Sequence, residues 1–114
     1  MSADRTQRTL LDLLDLGAMA ARLVARGKTA YDVDEALQLA GEAIVHRVGE
    51  AVARLPDDFV IAHPSVEWRK IKAMRNLVAH GYLRIDKEIL WNALTDKMPE
   101  LVTYLDHLVD DDQG

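Results

Sequence analysis

The sequence predicts an all-α fold, an up-and-down bundle of four to five helices forming one domain over residues 1–114. Three observations predict it. Apolar residues recur at three- and four-residue intervals along most of the chain, the period of a helix with one buried face. No stretch shows the strict apolar–polar alternation of a half-buried strand, and no internal repeat or low-complexity tract interrupts the pattern. Glycines, prolines and capping side chains mark the breaks between periodic stretches, so the connections are short.

The first helix is expected from about Asp4 to Arg26, with Leu10, Leu13, Leu14, Met19, Leu23 and Val24 at helical spacing and Gly27 placed to end it. With Leu11 and Leu16 added, this helix is apolar around more than one face and packs against several neighbours. Gly17 in its middle costs about 1 kcal/mol relative to alanine, which a close helix crossing would explain. A second helix is expected from Asp32, an N-cap with Glu35 in capping-box position, to about Arg54, because Pro56 forbids continuation. Its apolar stripe reads Val33, Ala36, Leu37, Ala40, Ile44, Val48, Ala51 and Val52. Glu42, His46 and Glu50 recur every fourth position and stack along one flank.

Pro56 to Phe59 reads as a turn or a single helical turn, and His63-Pro64-Ser65 as a connector ending in an N-cap. A helix then runs from about Val66 to His80 and stops at Gly81. Asp86 caps another to about Lys97, and Pro99 suits the first turn of a last helix carrying Leu101, Val102, Leu105, Leu108 and Val109. The acidic tail from Asp110 to Gly114 is expected to fray.

A chain of 114 residues buries a real core but is short for hiding every apolar face alone, so a homodimer is expected. The absence of cysteine excludes disulfides and thiolate zinc sites and fits a reducing cytoplasm. The N-terminal residues lack the apolar core of a signal peptide, and no apolar run approaches the roughly 20 residues needed to span a bilayer, so a soluble cytoplasmic protein is expected. A net charge of −5 argues against a general nucleic-acid binder. The distribution says more. Between His63 and Ile85 five cations (Arg69, Lys70, Lys72, Arg75, Arg84) face one anion, Glu67, a local +4 on an otherwise acidic chain. Such a patch fits an anionic ligand, while a solvated helix face is the plainer account of Arg69, Lys70 and Lys72.

Inside that window Arg75-Asn76-Leu77-Val78-Ala79-His80-Gly81-Tyr82 concentrates a guanidinium, a carboxamide, an imidazole and a phenol. At about 100° per residue, Trp68, Ile71, Met74, Leu77 and Val78 share one broad arc, and Arg75 lies inside it, roughly 40° from Ile71. A fixed charge on a packing face is costly unless it is paired or meets an anion. The plain alternative is an arginine bound to a carboxylate on a neighbouring helix. Asn76 and His80 share a different stripe, and a helix C-terminus favours an imidazolium at His80. A capping role for His80 is again the plain alternative. Glu42, His46 and Glu50 could be a metal set, but carboxylate bundles use a Glu-x-x-His spacing on paired helices, and no second copy exists here. Trp68 and Trp91 read as core or interface anchors.

The stretch Arg75-Asn76-x-x-x-His80-x-Tyr82 resembles the R-N-x-x-x-H-x-Y motif of HepT-like toxins, a branch of the HEPN superfamily of small helical ribonucleases. The likeness extends through Ala40–Ala43, Val48–Ala51, Val66–Ile71, Ile85-Asp86, Ile89–Trp91 and Met98–Leu101, and covers roughly residues 33 to 109. It implies a metal-independent endoribonuclease, without cofactor, acting as the toxin of a two-gene toxin–antitoxin system. Its site would form where two subunits bring their motif helices together. Attack of the RNA 2′-hydroxyl on the adjacent phosphate would leave a 2′,3′-cyclic phosphate, with His80 as acid or base, Arg75 stabilising charge and Asn76 orienting. Arg69, Lys70 and Lys72 would hold RNA phosphates. The implied partner is a minimal nucleotidyltransferase antitoxin that transfers AMP to Tyr82, unless that phenol simply packs against Trp68 or Ile71. The competing expectation is a non-catalytic helical partner that binds nucleotide or serves a nucleotidyltransferase.

Overall fold

The computed structural model describes the backbone of residues 2–79 and 86–113 and the side chains of residues 4–75 and 86–109. The side chain of Asn76, and His80, Gly81, Tyr82, Arg84 and Ile85 in full, lie outside the described residues. The fold is all-α: α1 (Ser2–Val24), α2 (Lys28–Val33), α3 (Glu35–Ala53), α4 (Asp57–Ala62), α5 (Trp68–Ala79), α6 (Lys87–Asn92) and α7 (Met98–Gln113). A π-helical segment, Ala93–Lys97, joins α6 to α7 without a break, so the two form one rod. Four long elements, α1, α3, α5 and this rod, make the bundle, and α2 and α4 are single short helices between them.

The core follows the apolar periodicity. Leu10, Leu13, Leu16, Ala20 and Leu23 of α1 meet Ile44, Val48, Ala51 and Val52 of α3 and Leu90, Leu94, Leu101 and Leu105 of the rod. Fully burying each such aliphatic side chain contributes about 1.5–3 kcal/mol, which fixes the order of the elements. Gly17 stands against the Val102 side chain of α7 so closely that any Cβ would overlap it, and the predicted close crossing is there. Gly27 ends α1 with φ 94°, the left-handed region where glycine carries no Cβ penalty.

Several boundaries differ from the sequence reading. Asp32 does not cap α3; it lies in α2, and Lys28 binds it at 2.7 Å while also reaching Glu88 at 2.8 Å. The cap is Asp34, extended at φ −113°, whose carboxylate accepts from the Ala36 N–H at 2.9 Å. Two aspartates two residues apart offered the same capping chemistry, and Asp32 is engaged instead by Lys28 four residues before it. The stripe therefore begins later, and Val33 is 81% exposed. Helix α5 likewise starts at Trp68 rather than Val66. The Asp86 cap is present, accepting from Glu88 N–H at 2.8 Å. The acidic tail continues α7 to Gln113 instead of fraying at Asp110.

Tyr31 pins α2 to α6: its hydroxyl donates to the Lys87 carbonyl at 2.8 Å, and its ring lies 4.8 Å from Trp91. Burial pushes its phenol up to about 12. At the other end, Trp68 donates through Nε1 to the His63 carbonyl at 2.8 Å and its ring lies 5.9 Å from Phe59 of α4. His63 in turn meets the Tyr104 hydroxyl through Nδ1 at 2.7 Å. These contacts set the start of α5 beside α4 at the C-terminal end of α3, so α5 runs back antiparallel along α3. No helix among the described residues is long and apolar enough to cross a membrane.

Candidate functional site

The α3–α5 seam carries the candidate chemistry. The backbones approach closely at Gly49 and Arg75, where a Cβ on Gly49 would lie 2.6 Å from Arg75 Cβ and 3.1 Å from Arg75 N. The arginine is seated on a glycine because nothing larger fits beneath it. Its side chain is 28% exposed, and Nη1 donates to Glu50 Oε1 at 3.4 Å. Arg75 thus lies on the packing face as the helical wheel requires, and the neighbouring carboxylate of the plain alternative is real.

That pairing is incomplete. A guanidinium has five N–H donors, and among the described residues Arg75 makes this one long contact. Carboxylate–guanidinium pairs that bind strongly are bidentate and shorter, near 2.7–2.9 Å. Glu50 is itself 46% exposed and opens onto a groove of about 320 Å³ between α1 and α3, with Asp12, Asp15, Arg47 and Arg54 around it. An exposed, single-point pair leaves most of the guanidinium's hydrogen-bonding capacity free for an anion.

The remaining predicted residues divide. Arg69 and Lys72 are exposed on α5. Lys70 is exposed but engaged: Glu67 binds it at 2.7 Å and Lys97 at 3.2 Å. Hydrogen bonding from Lys70, then Lys97, holds the Glu67 carboxyl below the usual range, and the same contact raises the Lys70 ammonium. Lys70 therefore lies on the opposite flank of α5 from Arg75, at the mouth of an apolar cleft of about 320 Å³ walled by Val45, Val48, Ile71, Met74, Leu101 and Tyr104. The cationic window is split by the helix, and Arg75 and Lys70 do not share one surface. Asn76, His80 and Tyr82 cannot be placed relative to Arg75, since the side chain of the first and the whole of the other two lie outside the described residues.

Along α3, Glu42, His46 and Glu50 recur at four-residue spacing, and Glu50 meets Arg75 of α5. Among the described residues no three acidic or histidine side chains converge as a metal-ligand group. Among the described residues, His46 Nδ1 is buried with no hydrogen-bond partner. The sequence reading missed that Gly49 seats Arg75 and that Glu50 is its partner. The signal was present: a charged residue in an apolar arc demands an anion, and Gly49-Glu50 is the point on α3 where a small residue adjoins a carboxylate.

The chain matches the family model described as "Ribonuclease HepT-like" over residues 14–108. It is 32% identical over 74 residues to the "Probable ribonuclease HepT" of Thermococcus cleftensis, covering 65% of this chain and 60% of that protein. It is 33% identical over 67 residues to MJ0127 of Methanocaldococcus jannaschii, whose name assigns it provisionally as an RNase, covering 59% and 55% of the two chains. The match thus spans little more than half the length of these relatives. No solved structure matches it. A family model that fits from the middle of α1 to the end of the core, over a bundle whose motif arginine sits on the α3–α5 seam, places this chain in the HepT-like ribonuclease family.

Proposed function

We propose that the chain is a metal-independent endoribonuclease whose site is centred on Arg75 and completed by Asn76 and His80. The observation that carries this reading is the guanidinium on the α3–α5 seam: half-buried, held by one long contact at 3.4 Å, and otherwise unpaired among the described residues. A scissile phosphate is the kind of anion that geometry accommodates. Charge builds on the phosphate oxygens as the RNA 2′-hydroxyl attacks, and Arg75 stabilises it. His80 moves the proton from the 2′-oxygen or to the leaving 5′-oxygen, and Asn76 orients the imidazole or the phosphate. The nucleophile belongs to the RNA, so no metal-bound water is needed and DNA is inert. Arg69 and Lys72 lie exposed on α5 and would hold flanking phosphates; Lys70 would do so only by exchanging Glu67 for RNA.

The finer reading rests on the resemblance of the motif. Two subunits would set their α5 helices together, and two Arg75 side chains across a twofold axis would repel unless an anion lay between them. The protein would be the toxin of a two-gene system, silenced when a minimal nucleotidyltransferase transfers AMP from ATP to the Tyr82 hydroxyl with loss of pyrophosphate. The anionic adduct would oppose RNA by like charge.

The test is purified protein incubated with RNA in EDTA. Expected is cleavage leaving 2′,3′-cyclic phosphate ends, reduced about 10²–10³-fold in Arg75→Ala and lost in His80→Ala. An inactive wild-type protein that binds a nucleotidyltransferase tightly would replace this reading with that of a non-catalytic partner.

A further inference from the structure

We infer that Glu50 is the positioning residue for Arg75, an assignment that rests on the nuclease reading of the Arg75 site and goes beyond the motif itself. Glu50 lies on a different helix, twenty-five positions earlier in the chain. Three observations place it in this role. Gly49 lets the α5 backbone approach so closely that Arg75 leaves its helix directly over the α3 surface. From there the guanidinium reaches the next residue of α3, where Nη1 donates to Oε1 at 3.4 Å. Among the described residues the rest of the guanidinium keeps its donors, so Glu50 meets one corner and leaves the others for a phosphate.

The partial exposure of both groups, 28% and 46%, argues against a purely structural bridge. Exposed pairs contribute about 0–1 kcal/mol to stability, so the contact adds little to folding. Its effect on orientation is larger in proportion. A free arginine side chain samples many rotamers, and a carboxylate that fixes one end removes that entropy before substrate arrives. The other carboxylates on the same groove, Asp12 and Asp15, belong to α1, and Asp12 is engaged by Arg54 at 3.6 Å. Glu50 is the carboxylate that meets Arg75 among the described residues.

The experiment is steady-state cleavage of RNA by wild type, Glu50→Ala, Glu50→Gln and, as a control on the same groove, Asp12→Ala, each checked for a native melting transition. Glu50→Ala is expected to lower kcat about tenfold with KM nearly unchanged, because the arginine still binds phosphate but no longer waits in place. Glu50→Gln keeps an oxygen acceptor for Nη1 and is expected to return kcat to within about threefold of wild type. Asp12→Ala is expected to match wild type. A Glu50→Ala enzyme with wild-type kcat, a lowered KM that marks Glu50 as a competitor of phosphate, or a Glu50→Gln enzyme as slow as the alanine variant would each overturn the inference. A readout independent of turnover separates its failure from that of the nuclease reading: the rate at which phenylglyoxal modifies Arg75, followed by peptide mass. Modification is expected to be severalfold faster in Glu50→Ala, and equal rates overturn the positioning role even if wild type cleaves no RNA.

Discussion

Gly49 and Arg75 meet backbone to backbone: a methyl group on the glycine would stand 2.6 Å from Arg75 Cβ and 3.1 Å from its nitrogen. Neither atom belongs to a flexible side-chain tip, so the clash can be relieved only by moving a helix. Gly49→Ala gains about 1 kcal/mol of helix propensity but forces the seam open, and overpacking typically costs about 1–3 kcal/mol. The net expectation is a lower melting temperature together with loss of RNA cleavage, since Arg75 is displaced with the α5 backbone. Melting curves and cleavage rates on the same preparation check it. A stable, fully active variant would mean that the crossing has slack.

The same physics acts at a second crossing, where Gly17 of α1 leaves room for Val102 of α7. There the obstructing atoms are a side chain, and a compensating change is available. Gly17→Ala alone is expected to destabilise by about 1–3 kcal/mol, and Gly17→Ala with Val102→Ala to recover part of that loss. Denaturant unfolding of the four members of this double-mutant cycle measures the coupling. Additive effects would show that the two residues do not share the space.

These two glycines show where the sequence was legible. A mid-helix glycine signals a close crossing, and at Gly17 that inference held because the periodicity of α1 was unambiguous. The same signal at Gly49 went unused, because its partner lies on another helix and nothing local names it. Capping shows the same limit. Asp86 and Gly27 could be read from their own neighbours, whereas at Asp32 the carboxylate is taken by Lys28, which also reaches the distant Glu88, and the cap falls to Asp34. For the site, the helical wheel put Arg75 on a packing face, and the identity of its partner required the fold. The charge count over residues 63–85 also grouped Lys70 with the cationic patch, whereas in the fold Lys70 pairs with Glu67, which in turn holds Lys97 of the π-helical segment, on another flank.

His63 and Tyr104 tie the α4–α5 connector to α7 through one contact of 2.7 Å. Tyr104→Phe removes the hydroxyl and keeps the ring, which stands edge-on to His63 at 5.7 Å. The expected cost is about 0.5–1.5 kcal/mol, the net value of one hydrogen bond. Because the connector leads into the start of α5, hydrogen exchange of the amides around Trp68 should quicken with it, while those of α1 stay unchanged. Uniform protection in the variant would mean that Trp68's own bond to the His63 carbonyl suffices.

Tyr31 makes a prediction in pH. Its phenol is pushed up to about 12 in the fold, by burial first and then by the charges of Glu42, Glu88 and Asp32, against an ordinary value of 10.0. Below pH 10 the group is neutral in both folded and unfolded chains and stability does not depend on it. Between pH 10 and about 12 the unfolded chain releases the proton and the folded chain keeps it, so the unfolded state is favoured and stability falls. Tyr31→Phe cannot ionise. At neutral pH it is expected to be less stable by about 0.5–1.5 kcal/mol, for loss of the bond to the Lys87 carbonyl. As pH rises above 10 its deficit relative to wild type should shrink, because this source of alkaline destabilisation is gone. Urea unfolding of both proteins at intervals from neutral pH to the alkaline limit measures the difference, and parallel curves across that range would show that the Tyr31 hydroxyl is no harder to ionise in the fold than in water.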